Sequence, residues 1–293
     1  MAKKTALILS GGGAKGAFQA AAEKYAREVK GYHWDIIAGV SVGALNGGML
    51  AMEKYARLWQ IWNTINNDKV YTGGFNFTSL IGLLFGARSF YGNEPLYKML
   101  KKELDPSLIR VDLRIGAVSL LSGEYVRFGK DSPNLGKAIL ASTVMPVIWT
   151  PVEISRDYPE MVDGGVRNIS PIGDVLDADP DEIVIINCGA EAIDPLAGPP
   201  KTVVNIGMRT LDILLNELFV SDMREFQRTN RLVQQAAAQG VTLTSSSGKP
   251  LKYFDCKIIE PISPLGDTLD FSQATIQASL TAGEERARQV LGR

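Results

Sequence analysis

The sequence predicts an α/β fold in which a mainly parallel central sheet is flanked by helices on both faces, giving three α/β/α layers. Two apolar runs near the start, residues 6–9 and 36–38, each lead into a glycine-rich turn and then into helical periodicity. A third apolar run, residues 182–187, is the strongest buried-strand pattern of the second half. Strands that alternate with helices in this way are typical of parallel sheets, because each crossover helix covers one face.

In the first half of the chain, apolar residues recur at intervals that distinguish strands from helices. Phe18, Ala22 and Val29 fall on one helical face, and Trp59 and Trp62 belong to a second helical pattern that we interpret as core. The predicted elements are a strand at 5–10, a helix at 15–30, a strand at 36–39, a helix just after residue 41, a helix near 55–65, a helix at 95–104, a hairpin of 114–121 and 124–128, and a helix at 135–144.

The second half continues the alternation. The predicted elements there are the strand at 182–187, a long amphipathic helix at 202–239, a strand at 253–259 and a final helix at 272–291. Neither a composition shift nor an internal repeat divides the chain, so we expect residues 1–293 to form one domain.

The bulk composition argues against several classes of protein. The 31 basic and 32 acidic residues nearly cancel and are scattered, which does not favour nucleic-acid binding. Cys188 and Cys256 both lie in apolar, strand-like runs, so we interpret them as reduced core residues. Since no cluster of cysteines and histidines occurs in the sequence, we expect no zinc site.

The amino terminus has the positive charge of a signal peptide but too short an apolar run. That run stops at the glycines, whereas a secretory signal needs about 7–15 apolar residues. The longest later apolar stretch, residues 80–85, is far shorter than the roughly 20 residues that span a bilayer. We therefore expect a cytoplasmic protein whose contact with membranes is peripheral.

The second glycine-rich turn, residues 39–43, reads Gly-Val-Ser-Val-Gly and has a serine at its apex. A Gly-x-Ser-x-Gly turn between a strand and a helix presents its serine as a nucleophile, because the sharp elbow exposes the hydroxyl. The alternative is that Ser41 merely caps the next helix. We favour the nucleophile, because the apolar strand before the serine and the small residues after it suit an elbow.

The first glycine-rich turn, residues 11–16, follows the first strand and opens a helix. Backbone N–H groups at such a helix start bind an oxyanion as readily as a phosphate. We predict Gly12 and Gly13 as the oxyanion donors. Lys15 has three open roles, which are to support the loop, to favour an anionic headgroup, or to lie solvated on the surface.

The same turn also fits the Gly-x-Gly-x-x-Gly fingerprint of dinucleotide-binding proteins. That alternative requires an acidic residue at the carboxyl end of the second strand, about 20 residues on. Asp35 has roughly this spacing but precedes the core of that strand. A nucleotide-binding oxidoreductase is therefore our second hypothesis, and a lipid-binding protein with an inert serine is the third.

The candidate general base is Asp163, which begins the turn Asp-Gly-Gly at residues 163–165. Taken alone, this tripeptide is more often an ordinary turn. The chain's single histidine, His33, precedes the strand that carries Ser41, so we place it at the opposite end of the sheet and interpret it as structural. An aspartate with the usual pKa of about 3.9 is a weak base at neutral pH. We expect burial or a short hydrogen bond with Ser41 to increase its basicity enough for proton transfer.

Four patterns in this order resemble the patatin-like phospholipases, and the resemblance covers nearly the whole chain. They are Gly-Gly-Gly-x-Lys-Gly at 11–16, Gly-Val-Ser-Val-Gly at 39–43, Ala-Ser-Thr-Val-Met-Pro at 141–146, and Asp-Gly-Gly-x-x-Asn-x-x-Pro at 163–171. Singly none is specific, but together they are.

The resemblance implies a lipid acyl hydrolase of the phospholipase A or carboxylesterase type, with a Ser41–Asp163 dyad, Gly12 and Gly13 as oxyanion donors, and neither metal nor cofactor. Residues that support these motifs are Gly11, Lys15, Gly16, Gly39, Gly43, Gly164 and Gly165. The expected partners are an acyl-ester or lipid substrate and, transiently, a membrane or micelle surface.

Residues 70–93 interrupt the regular pattern with glycines mixed among phenylalanine and leucine. A connection this long and apolar either packs over the core or moves at a functional opening. We predict that it flanks or covers the groove that holds an acyl chain.

Overall fold

The structure, a computed structural model, describes residues 3–70, 72–73, 91–92, 94–146, 148–193, 195–196 and 198–292. Its strands are β1 (Thr5–Leu9), β2 (Ile36–Gly39), β3 (Thr72–Gly73), β4 (Tyr91–Gly92), β5 (Asp112–Ser119), β6 (Tyr125–Phe128), β7 (Met161–Asp163), β8 (Glu182–Ile186) and β9 (Asp255–Ile259). Its α-helices are α1 (Gly16–Lys30), α2 (Val42–Ala51), α3 (Tyr55–Thr64), α4 (Asn67–Val70), α5 (Glu94–Glu103), α6 (Leu135–Ser142), α7 (Gly173–Leu176), α8 (Val203–Ala238) and α9 (Gln273–Leu291).

Seven of the described strands form one central sheet in the order β6-β5-β2-β1-β8-β9, with β7 also paired to β5. The five strands from β5 to β9 along this order run parallel. At one edge, β6 and β7 pair antiparallel with β5. The predicted α/β fold with a mainly parallel sheet is confirmed.

Each face of the sheet is covered by its own layer of helices, because both faces of its strands are apolar. Leu7 and Leu9 of β1 point into the larger core, which includes side chains of α1, α2, α3, α5, α6 and α9. Ala6 and Ile8 point to the other face, where they pack with residues of α7 and α8. A strand that is buried on both faces has a continuous apolar sequence, as β1 and β8 do.

Most predicted elements agree with the observed ones to within two residues, and the main omission is β7. Its three residues are too short to give a strand pattern, and only the Met161-Val162 pair hinted at it. The long helix, predicted over residues 202–239, is observed as Val203–Ala238. The predicted groove-covering segment, residues 70–93, falls largely outside the described residues.

The carboxyl ends of the parallel strands lie at one edge of the sheet, and this is the edge at which such folds bind their ligands. Both glycine-rich turns follow strands at this edge, β1 and β2. Within the part of the chain that the structure describes, no helix is long and apolar enough to cross a membrane.

Candidate active site

Ser41 lies at the apex of a strained turn between β2 and α2. Its φ of 57° and ψ of −127° lie in a region that residues with a side chain rarely adopt. A Cβ on Gly39 would lie 2.3 Å from the Gly43 carbonyl oxygen, and one on Gly43 would lie 2.2 Å from the Leu9 carbonyl oxygen. The two glycines therefore allow β1, β2 and α2 to approach closely, which forces the elbow.

Asp163 reaches this elbow because β2 is shorter than its neighbour. β2 pairs with β5 only as far as Gly39 and Ile115. β7 takes up the adjoining length of β5 from the opposite direction and pairs Asp163 with Ala117. The parallel strand β2 and the antiparallel strand β7 thus end next to each other along β5. This brings Ser41, two residues after the end of β2, close to Asp163, the last residue of β7.

The Asp163 carboxylate is buried and has two hydrogen-bond donors. The Gly165 N–H donates to it at 2.7 Å, within a turn of 3₁₀ helix, and the Ser41 hydroxyl is its side-chain partner. Burial raises the pKa of Asp163 to about 7, while the hydrogen bonds from Ser41 and Gly165 act to lower it. A carboxyl with this pKa is poised to accept and return a proton near neutral pH.

The first glycine loop packs directly against the elbow. A Cβ on Gly11 would lie 3.2 Å from the Cβ of Ser41. Most N–H groups of the loop are already engaged; these bonds run from Ser10 to Ile186, from Gly11 to Ile169, from Ala14 to Thr268 and from Lys15 to Gly12. Among the described residues, none accepts a hydrogen bond from the Gly12 or Gly13 N–H. These two groups are the donors that the loop leaves free.

Only glycine fits at these two positions. A Cβ on Gly12 would lie 2.3 Å from the Cβ of Cys188, just beyond β8. Gly13 has a φ of 55°, and a Cβ there would lie 2.2 Å from the Thr268 carbonyl oxygen. Cys188 and Thr268 therefore pack directly against the backbone of the loop. The sequence analysis assigned neither residue to the site.

A buried amide network supports the same loop from the helix side. The Gln19 side chain donates to the Ser10 and Ile186 carbonyls, and Asn46 of α2 donates to the Gln19 side chain. The Trp62 indole N–H donates to Asn46 at 2.9 Å. Buried amides whose hydrogen bonds are satisfied restrict motion, so the network links the loop to α2 and α3.

Ser41 and Asp163 line a cavity of about 400 Å³ whose wall is mainly apolar. Side chains of α2, α3 and α5 form much of it, among them Met49, Leu58, Ile61, Trp62, Ile65, Met99 and Leu100. Trp62, interpreted from the sequence as a core residue, is buried and also lines this cavity. An apolar wall beside a hydroxyl and a carboxylate suits a substrate with a hydrocarbon chain.

Charged side chains from the glycine loop, from α8 and from the segment before α9 also line the cavity. They are Lys15, Arg209, Asp212 and Asp267. Burial raises the pKa of Asp212, while the positive charges of Lys15 and Arg209 act against that rise. Lys15 therefore lies at the cavity, which is compatible with two of its three predicted roles, loop support and headgroup contact.

The chain's single histidine and Asp35 lie at the far end of the sheet. His33 is exposed and precedes β2, and its carbonyl accepts the Thr5 hydroxyl. The Asp35 carboxylate accepts the Thr5 N–H at 2.7 Å. Because Thr5 begins β1, both residues lie at the amino edge, away from the glycine loop. The ribose contact that a dinucleotide site requires is therefore not offered by Asp35.

A model of the patatin-like phospholipase family matches residues 7–176, more than half of the chain. The chain belongs to the patatin-like phospholipase family. This family acts on lipid substrates as acyl hydrolases. The crystal structure of VipD from Legionella pneumophila is similar to this chain, with a TM-score of 0.48 and 12% sequence identity over 99% of this chain and 67% of VipD. No curated protein sequence matches the chain.

The burial of Asp163 predicts that its charge opposes folding. Its pKa of about 7 exceeds the value of about 3.9 in an unfolded chain, so the folded state binds more protons and loses stability as the pH rises through this interval. We expect Asp163→Asn to increase the free energy of unfolding at pH 8 by about 2–4 kcal/mol. Chemical denaturation of wild type and Asp163→Asn at pH 8 and pH 4.5 measures the difference in the free energy of unfolding. This difference should be smaller at pH 4.5. A variant no more stable than wild type at pH 8 would contradict the assigned burial cost.

Proposed function

We propose that this chain is a single-domain serine hydrolase, over residues 1–293, that cleaves lipid acyl esters through an acyl-serine intermediate. Ser41 is the nucleophile, Asp163 the general base, and the Gly12 and Gly13 N–H groups the oxyanion donors. The observation that carries the proposal is the pairing of the Ser41 hydroxyl, on a strained elbow, with a buried carboxylate whose pKa is about 7.

In the first half of the reaction, the Ser41 Oγ attacks the ester carbonyl carbon while its proton passes to the Asp163 carboxylate. The negative charge that develops on the carbonyl oxygen accepts hydrogen bonds from the N–H groups of Gly12 and Gly13, for which the described residues offer no other acceptor. Asp163 then returns the proton to the leaving alcohol, and the acyl group remains on Ser41.

In the second half, Asp163 accepts a proton from a water molecule as that water attacks the acyl-serine. The tetrahedral oxyanion forms again at Gly12 and Gly13, the bond to Ser41 Oγ breaks, and the proton on Asp163 returns to the serine. One carboxyl therefore serves as base and acid in both halves, which a group with a pKa near 7 does most effectively at neutral pH.

The apolar cavity wall supports an acyl chain as the hydrocarbon part of the substrate. Each methylene that leaves water for such a wall contributes about 0.8 kcal/mol. The charged cluster of Lys15, Arg209, Asp212 and Asp267 provides polar contacts for the alcohol part of the ester. Binding of this kind favours a lipid ester over a small polar one.

The dyad predicts which variants lose activity. We expect Ser41→Ala and Asp163→Asn each to reduce ester turnover at least ~10³-fold, because each removes a group that takes part in every step. His33→Ala, at the far end of the sheet, should keep turnover within twofold and is the matched control. Mass spectrometry after treatment with a fluorophosphonate should find one adduct on wild type, none on Ser41→Ala, and slow labelling of Asp163→Asn.

Two results would contradict this assignment. Inactivation by His33→Ala with the fold intact would replace the dyad by a histidine-dependent mechanism. A folded wild-type protein that binds lipid micelles but neither labels nor hydrolyses esters would indicate a lipid-binding protein with an inert serine.

The protonation of Asp163 predicts the pH dependence of hydrolysis. Since the base must be ionised, kcat/KM should rise about tenfold per pH unit below pH 7 and level off above it. Initial rates with a soluble short-chain ester, measured from pH 4.5 to 9, test this. A plateau that extends down to pH 5 would mean that the essential base has an ordinary carboxyl pKa.

Contact with a lipid surface is supported by apolar side chains exposed at the sheet edge that carries Ser41. Leu121 follows β5 and is 70% exposed, and Ile262 follows β9 and is 77% exposed. Leu196, which follows β8, is half exposed and also lines the cavity. Insertion of such side chains into a bilayer would bring the cavity to its substrate.

This surface predicts a selective effect on aggregated substrates. The double variant Leu121→Ser/Ile262→Ser should lower hydrolysis of phosphatidylcholine vesicles about tenfold, a loss of about 1.4 kcal/mol of surface binding, and leave a soluble ester unaffected. Val29→Ser is the control, since Val29 is 61% exposed near the end of α1 at the other edge. Equal losses on both substrates would argue against surface contact.

A further inference from the structure

One motif residue has so far no part in the chemistry: Ser142, the last residue of α6, whose side chain is fully buried. Its hydroxyl accepts the Ser41 N–H at 2.9 Å and donates to the Gly116 carbonyl at 2.6 Å. The hydroxyl therefore uses both its donor and an acceptor site in one bridge from the elbow to β5.

The other end of this bridge lies on β5, the strand with which β7 and its residue Asp163 pair. Ala117, the residue after Gly116, pairs with Asp163 in β7. A Cβ on Gly164 would lie 2.5 Å from the Gly116 carbonyl oxygen, so the turn after Asp163 rests on the same carbonyl that Ser142 binds. Ser142 thus touches the support of the base and the backbone of the nucleophile.

A second hydrogen bond from the same segment reaches Asp163 directly. The Val144 carbonyl, two residues after Ser142, accepts the Asp163 N–H at 2.9 Å. Residues 142–144 therefore hold the backbone of Ser41 through a hydroxyl and the backbone of Asp163 through a carbonyl. The same short segment therefore fixes the backbone positions of both reacting residues, Ser41 and Asp163.

The elbow needs such support because its backbone is strained. A residue with a side chain rarely adopts this region of φ and ψ, and it persists there only where the surrounding contacts determine its conformation. Without the Ser142 hydroxyl, the Ser41 N–H would lose its hydrogen-bond acceptor inside the protein. The elbow would then change its conformation so that this N–H reaches another acceptor.

We propose that Ser142 is a positioning residue that sets the Ser41 hydroxyl at its working distance from Asp163. The assignment rests on the proposed function. It also gives the Ser41 N–H a fixed structural partner, so that this N–H is not an oxyanion donor and the first glycine loop has to supply both donors.

The test compares Ser142→Ala and Ser142→Cys with Ser279→Ala, which removes a serine hydroxyl equally buried in α9. Steady-state kinetics on a soluble ester and the rate of fluorophosphonate labelling are measured for each, with circular dichroism as the check of folding. We expect Ser142→Ala to lower kcat about 10–100-fold with KM within twofold, since a misplacement of about 1 Å costs about 10²-fold. Ser279→Ala should keep kcat within twofold of wild type.

The pH profile separates positioning from a general loss of stability. The Ser41 hydrogen bond lowers the pKa of Asp163, so a displaced Ser41 should move the acid limb of kcat/KM to higher pH in Ser142→Ala. Ser279→Ala should leave that limb in place. If Ser142→Ala does not fold, Ser142→Cys carries the comparison, because a thiol keeps the shape of the side chain but hydrogen-bonds weakly.

The outcomes distinguish this assignment from the proposed function. A folded Ser142→Ala, or Ser142→Cys in its place, whose kcat and acid limb match those of Ser279→Ala would overturn the role of Ser142 and leave the hydrolase intact. A wild-type protein that neither labels nor turns over an ester would overturn the hydrolase and the role of Ser142 together.

Discussion

The burial of one carboxyl group beside one hydroxyl governs the arrangement of this protein's candidate site. An ionised carboxylate inside a protein is costly unless it is hydrogen-bonded, and Asp163 has the Ser41 hydroxyl and the Gly165 N–H for this purpose. These two bonds lower its pKa by less than burial raises it. The carboxyl is therefore left near the midpoint of its titration at neutral pH, as the proposed role of Asp163 as general base requires.

The geometry around that pair depends on how strands of unequal length share one neighbour. β5 is long enough to pair with β2 along its first half and with β7 along its second. Both shorter strands end where the two halves of β5 meet. The strained elbow at Ser41 follows β2, and a turn of 3₁₀ helix follows β7. The sheet is thus the scaffold that holds a strained elbow and a buried acid. Residues 142–144 contact both backbones, because the Ser142 hydroxyl accepts the Ser41 N–H and the Val144 carbonyl accepts the Asp163 N–H.

Support for the first glycine loop, which carries the two proposed oxyanion donors, comes from residues much further along the chain. The family match ends at residue 176, yet Cys188 and Thr268 pack against Gly12 and Gly13. The N–H groups of these two glycines have no acceptor within the described part of the chain. Gly12 and Gly13 both line the cavity. Their close contacts with Cys188 and Thr268 restrict a glycine backbone that would otherwise have wide conformational freedom. The part of the chain after residue 176 therefore belongs to the proposed catalytic architecture, although the four recognisable motifs lie before it.

The sequence by itself determined the alternation of strands and helices, the two glycine-rich turns and their order, because apolar periodicity and turn chemistry act over a few residues. From the same local signals it marked Ser41, Asp163, Gly12 and Gly13 as candidates and set His33 aside. Only the tertiary structure decided that β7 pairs with β5, that Ser142 holds the Ser41 N–H, and that Thr268 backs Gly13. Those contacts join residues about 45 to 255 positions apart, and no local pattern encodes a partner at that distance.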